Sequence, residues 1–135
     1  MKIYKAIVLN DYIGKHYATW VNEKKKKIET RMRLFNYSGD IVICCGNKST
    51  TINKGKALCL IHFGKGRKMT SDDEKDACIE CVPGRIAYDL TNRRDFNRRF
   101  TFSKQKVSGS FQGIFEIELP VDVRVIEPLP IILKA

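Results

Sequence analysis

The chain has 135 residues, 43% of them hydrophobic, and its 25 Lys and Arg outweigh 15 Asp and Glu to give a formal net charge of +10. That length holds one domain with its own core but not two, and the apolar fraction excludes a wholly disordered chain. The longest apolar stretches, such as Ile41 to Cys45, are far too short to cross a bilayer.

The N-terminal apolar run breaks after Leu9 with no small-residue cleavage site, which argues against a signal peptide. Five cysteines is an odd number for a disulfide framework, so reduced thiols and a cytoplasmic location are expected. The positive surplus favours polyanionic partners, because each neutralised phosphate releases counterions. Anionic membrane is the competing polyanion, but no basic amphipathic helix with a bulky apolar face is evident, so no membrane partner is expected. The competing reading of the charge is a lysine-rich, well-solvated surface.

In chain order, Lys2 to Leu9 reads as a strand, and Asn10-Asp11 offers a helix N-cap. Ile13, Tyr17, Trp20 and Val21 recur at helical spacing, predicting an amphipathic helix over 12–25 that ends in Lys24-Lys25-Lys26-Lys27, where cations suit its dipole. Ile28 to Leu34 alternates as a strand with one charged face, and Ser38-Gly39-Asp40 turns into a buried strand, Ile41 to Cys45. After a polar loop over 46–54, Gly55 to Gly64 is another strand, followed by a Gly-Lys-rich link to residue 68.

Ser71-Asp72-Asp73-Glu74 has the form of a capping box and predicts a helix of about 8–12 residues that stops before Pro83-Gly84. Ile86 to Leu90 is a strand, Arg93 to Lys106 is basic with interleaved phenylalanine and not divisible by pattern, and Gly113 to Leu119 is a closing strand. Residues 1–120 form the expected domain, with 121–135 a tail packing on it. Six or seven short strands, two helices and no βαβ rhythm favour an α+β fold built on a small, partly closed mixed barrel over a doubly wound sheet.

Lys26, Glu29 and Arg31 form the sharpest cluster. On a strand Glu29 and Arg31 project to one face; a carboxylate between cations stays ionised and can accept from an amine or amide edge, while the cations can hold phosphate. A solvated, salt-bridged strand face is the plainer alternative. A second cluster comprises Arg93, Arg94, Arg98 and Arg99 with Phe96, Phe100 and Phe102. Its arginines can track a phosphate backbone and exposed aromatics can stack on bases, although Phe100 and Phe102 fit a core better.

Cys59-x2-His62 and Cys78-x2-Cys81 have zinc-like arithmetic. However, strand positions three apart face opposite ways, and neither pair has the glycine-turned knuckle that brings two ligands together, so no metal and no cofactor is expected. Cys78 and Cys81 fit the second helix better, with Cys78 in the core. No phosphate-binding glycine loop, serine elbow or dinucleotide fingerprint is present.

The segment Tyr17-Ala18-Thr19-Trp20-Val21 leading into Lys26-Lys27-Ile28-Glu29-Thr30-Arg31 resembles the signature of the ASCH domain family, a branch of the PUA-like fold. Gly39-Asp40-Ile41-Val42-Ile43, Gly55-Lys56-Ala57-Leu58 and Gly109 to Ile117 are similar to its later pieces, in order, over residues 3–120. The resemblance implies a PUA-like barrel with two flanking helices in which Lys26, Glu29 and Arg31 line the ligand cleft. On that reading the cleft takes RNA or a nucleotide-derived ligand, with Lys24, Lys25, Lys27, Arg93, Arg94, Arg98 and Arg99 on phosphates. Single-stranded or looped RNA is the better partner, because an A-form major groove hides base edges.

Some ASCH relatives deacylate modified cytidine with a lysine, a threonine and a glutamate. The alternative function is therefore an amidohydrolase acting on a nucleoside such as N4-acetylcytidine, with Lys26, Glu29 and Glu74 as its catalytic residues. Glu29 stands where that family has its threonine, which removes the nucleophile.

Overall fold

The computed structural model describes residues 2–127. Strand β1 (Ile3–Leu9) leads into a hairpin, β2 (Asp11–Tyr12) and β3 (Lys15–His16), then a short helix, α1 (Tyr17–Asn22). Next come β4 (Ile28–Arg31), β5 (Gly39–Cys45), β6 (Lys56–Phe63) and β7 (Arg67–Lys68). A 3-10 turn (Ser71–Asp73) runs into the four-residue helix α2 (Glu74–Ala77), and β8 (Ile86–Thr101) follows. A second 3-10 turn (Phe102–Gln105), β9 (Lys106–Gly109), β10 (Phe115–Glu118) and β11 (Val125–Ile126) complete the described chain.

The fold is α+β with a sheet core and two short helices. Strands run in the order β11-β8-β6-β5-β1-β10-β9, and β4 and β7 also pair with β8. The sheet is mixed: β1 and β5 are parallel, whereas β6, β8 and β10 join their neighbours antiparallel. No pairing of β9 with β11 closes the sheet among the described residues.

Strand β8 is the spine. Its first residues pair with β4 in the register Glu29–Tyr88 and Arg31–Ile86, and β6 and then β11 take up its later residues. Side chains alternate across the pleat, so each strand feeds two cores. Ile7, Ile41, Ile43, Cys59 and Phe63 pack beneath Ala18 and Val21 of α1, while Ala6, Val42, Leu60, Phe96, Phe100 and Phe115 build the opposite core. Ile28, Met69, Ala77 and Ala87 pack together where α2 meets β4.

The helix expected over 12–25 shrinks to Tyr17–Asn22, because Gly14 at φ +75° turns the chain into the β2–β3 hairpin. Ile13, counted in the helical stripe, is 87% exposed at that turn. A glycine with positive φ is what a tight hairpin needs and an interior helical position disfavours. Asp11 still caps the helix, but from across the hairpin: its carboxylate accepts from the Thr19 N–H at 2.9 Å.

The capping box around α2 lies one residue earlier than expected, with the Asp73 carboxylate accepting from the Thr70 N–H at 2.9 Å. The helical segment is shorter than expected because Cys78, in the left-handed region at φ +57°, ends it after Ala77. Cys78 therefore sits half-buried beyond the helix rather than in the core. The stretch from Arg93 falls into the single long strand β8 as far as Thr101. The tail begins with Val123 buried and β11 paired to Asp95 and Phe96; its remainder lies outside the described residues.

Tyr88 is fully buried between Phe35 and Phe63; its hydroxyl accepts from the Phe35 N–H at 2.6 Å and reaches the Arg33 carbonyl at 3.3 Å. Tyr88→Phe strands that N–H, so urea unfolding is expected to show a loss of about 1–3 kcal/mol. The thiols divide by burial: Cys44 and Cys59 are buried and pushed up, Cys59 to about 12, while Cys78 and Cys81 are only half-buried. A native thiol titration with an aromatic disulfide is expected to label Cys78 and Cys81 first, with Cys44 and Cys59 reacting only on unfolding.

Candidate functional site

Because β4 pairs with β8 at one edge only, its charged face meets the end of β1 and the aromatic side of α1. Between them lies a cleft of about 190 Å³ lined by residues that include Tyr12, Tyr17, Lys26, Glu29, Arg31 and Arg85. The two-residue strand spacing puts Arg31 on Glu29, with Nε and Nη2 both 2.9 Å from Oε2. Nη2 also donates to the Val8 carbonyl at 3.0 Å and so spans from β4 to β1.

Lys26 is the floor of the site. Its side chain is almost wholly buried, with Nζ donating to the Ala77 carbonyl, 3.7 Å from Glu29 Oε1 and 5.2 Å over the Tyr17 ring. Ala77 ends α2, so Lys26 satisfies a carbonyl that the helix leaves open. Burial pushes the Lys26 ammonium down, and the Glu29 charge offsets this only in part. Burial, then the charge of Glu29, pushes the Tyr17 phenol up.

The lining holds three cations, Lys26, Arg31 and Arg85, against one carboxylate, Glu29. Arg85 donates from Nη1 to the Thr30 hydroxyl at 3.2 Å, while its Nε is buried with no partner. Arg31 saturates Glu29 Oε2, but Oε1 has only Lys26 beyond hydrogen-bond reach, so it keeps acceptor capacity. The cleft thus holds an acceptor with spare capacity and one unpartnered donor, Arg85 Nε, which suits a ligand carrying an N–H edge and an oxygen.

Lys26, Glu29 and Arg31 therefore converge as the sequence predicts, whereas the rest of the expected site disperses. Lys24, Lys25 and Lys27 are exposed, with Lys25 Nζ 4.4 Å over the Trp20 ring. Arg93 donates to Asn22 at 2.8 Å and to Asp95 at 2.6 Å. Arg94 is buried and forked onto Asp40 at 2.6 and 3.2 Å; Arg98 is forked onto Asp122 at 2.5 and 2.7 Å; Arg99 donates to Asn53. Phe96, Phe100 and Phe102 are all buried, so this cluster presents no stacking surface.

Glu74 lies outside the cleft and accepts the Cys81 N–H at 2.7 Å. Cys59 is in the core while His62 is exposed on the other face of β6, and no group of three metal-binding side chains gathers among the described residues. No described helix is long and apolar enough to cross a membrane.

Sequence reasoning missed Arg85 and the aromatic wall. Arg85 follows a Pro-Gly turn like any surface arginine, and only the β4–β8 register brings it beside Thr30. Tyr12 sits in the hairpin where a helix was expected, 46% exposed and edge-on to Tyr17 at 6.4 Å. No protein-family model matches this chain, and no curated protein matches it.

Proposed function

We propose that the chain is an ASCH-type RNA-binding module whose cleft takes one unpaired base of a single-stranded or looped RNA. The observation that carries this reading is the open Glu29 Oε1 acceptor set among Lys26, Arg31 and the unpartnered Arg85 Nε. Glu29 would accept from an exocyclic or ring N–H of the base, Arg85 would donate to a ring carbonyl, and the exposed face of Tyr12 would stack on it. Lys24, Lys25 and Lys27 add exposed charge for the flanking phosphates. A PUA-like, partly closed barrel belongs to the same reading, supported by the Arg31 bond that ties β4 back to Val8 of β1.

The test is a fluorescence-anisotropy titration of short single-stranded and hairpin RNAs at two salt concentrations. Binding should fall with salt by a log–log slope of roughly 0.7 per phosphate contact for a single strand. Absence of binding even at low salt would sink the RNA reading.

The amidohydrolase alternative has one supporting observation, the depressed Lys26 ammonium beside a carboxylate, which suits a general base. It lacks a nucleophile: the Thr30 hydroxyl is held by Arg85 and the Glu74 carboxylate by Cys81. Acetate release from N4-acetylcytidine, lost on Lys26→Met, would establish it.

A further inference from the structure

A second cavity, about 330 Å³, lies against the same segment, 24–27. Its lining shares only Lys26 with the cleft, and the ammonium of Lys26 is turned to Glu29 and the Ala77 carbonyl. Val21, Ile61 and Leu90 give it apolar walls, Lys24, Lys27 and Arg93 give it three cations, and no carboxylate lines it. Along β8, Arg93, Arg94 and Arg98 are each paired with a carboxylate, of Asp95, Asp40 and Asp122, but Lys24 and Lys27 have no carboxylate partner among the described residues.

The backbone turns at two places around this cavity. Three non-glycine residues in the described chain have positive φ, and two of them, Lys24 at +63° and Asn92 at +50°, line it. Lys24 is the left-handed residue that closes the end of α1, its N–H on the Val21 carbonyl at 3.0 Å, and asparagine accepts this conformation readily at 92, so both turns are fixed locally. Arg93 is held in place by Asn22 and Asp95 through Nη2, so its guanidinium is oriented before any ligand arrives. A guanidinium already oriented by Asp95, with Lys24 and Lys27 lining the same cavity, can hold a tetrahedral dianion or a phosphodiester through its remaining donors.

We infer that this second cavity is a phosphate site, separate from the Lys26–Glu29–Arg31 cleft, in which Lys24, Lys27 and Arg93 hold a phosphate monoester or diester. The site deepens the RNA reading, which already sets Lys24 and Lys27 against flanking phosphates, and inorganic phosphate tests it without RNA. The phosphate has two possible sources, a terminal monoester or a backbone diester.

The test uses the full chain with inorganic phosphate as probe, followed by amide NMR shifts. The variants are Lys24→Asn/Lys27→Gln, which removes two exposed charges while asparagine tolerates the left-handed backbone at 24, and Arg31→Ala in the cleft. Saturable shifts confined to residues near 24–27 and 90–93 are expected. Kd should rise at least roughly tenfold in the double variant, about 1.4 kcal/mol, and change less than twofold in Arg31→Ala.

Loss in Arg31→Ala with none in the double variant would move the phosphate to the cleft and overturn the inference. So would shifts that never saturate. A matched pair of short RNAs, 5′-phosphorylated and 5′-hydroxyl, separates the sources: a preference for the first that the double variant abolishes assigns a monoester. Equal affinities, both weakened in the double variant, assign a diester, and either result upholds the site. A phosphate Kd that neither variant changes overturns the phosphate site while the RNA reading stands.

Discussion

Arg31→Ala is expected to weaken binding of a short single-stranded RNA by roughly 10- to 100-fold, the loss of a charge-assisted hydrogen-bonding group worth about 1.5–3 kcal/mol. The guanidinium does two things at once. It pins Glu29 Oε2, which leaves Oε1 with acceptor capacity, and it bridges β4 to the Val8 carbonyl of β1. Arg31→Lys keeps the charge but cannot make both contacts from one planar fork, so it should recover less than half of the lost binding free energy. Anisotropy titrations of the two variants beside the wild type, with far-ultraviolet circular dichroism to show the fold is kept, decide the matter. Equal affinities would remove RNA from the cleft.

The largest stability effect should come from Asp11→Ala. Asp11 is completely buried at the start of β2 and ties three parts of the chain together. Its carboxylate accepts from the Thr19 N–H at 2.9 Å, the Thr19 hydroxyl, and the Thr51 hydroxyl at 2.6 Å; its own N–H donates to Ser49 at 2.9 Å. Alanine would leave the Thr19 N–H and the part-buried Thr19 and Thr51 hydroxyls without this acceptor, at a cost of roughly 2–4 kcal/mol and on the order of 10 °C in Tm. Burial pushes the Asp11 carboxyl up, but the hydrogen bonds from Thr19 and Thr51 outweigh it and the net shift is downward from 3.8. A depressed carboxylate stabilises the fold above its unfolded value and loses that contribution as pH falls through the folded one. The gap in unfolding free energy between wild type and Asp11→Asn should therefore be widest near neutrality and shrink below about pH 4, as read by urea titrations at several pH values. A gap that does not vary with pH would mean that Asp11 is not ionised in the fold.

Much of the framework was legible because strands announce themselves locally. The β-branched runs at β1, β5 and β6 alternate or cluster as pleated, buried segments must, and the spacing of Glu29 and Arg31 placed them side by side. The helix over 12–25 misread one glycine: the apolar stripe was real at Val21 and half-buried at Tyr17 and Trp20, but Gly14 diverted its first turn into a hairpin. The basic stretch from Arg93 carries a period-two pattern of its own, with Arg94, Phe96 and Phe100 buried, but its interspersed charges left it undivided in the sequence.

The sequence by itself determined the sheet-forming segments, the positive surplus and the Lys26–Glu29–Arg31 grouping, all of which rest on neighbours a few residues apart. Only the tertiary structure decided which cations remain available to a ligand. Arg94 finds Asp40 across 54 positions and Arg98 finds Asp122 across 24, while Arg85 reaches the cleft through the β4–β8 register. An ion pair neutralises charge by distance in space, and a one-residue change of strand register exchanges every such partner, so no local pattern encodes it.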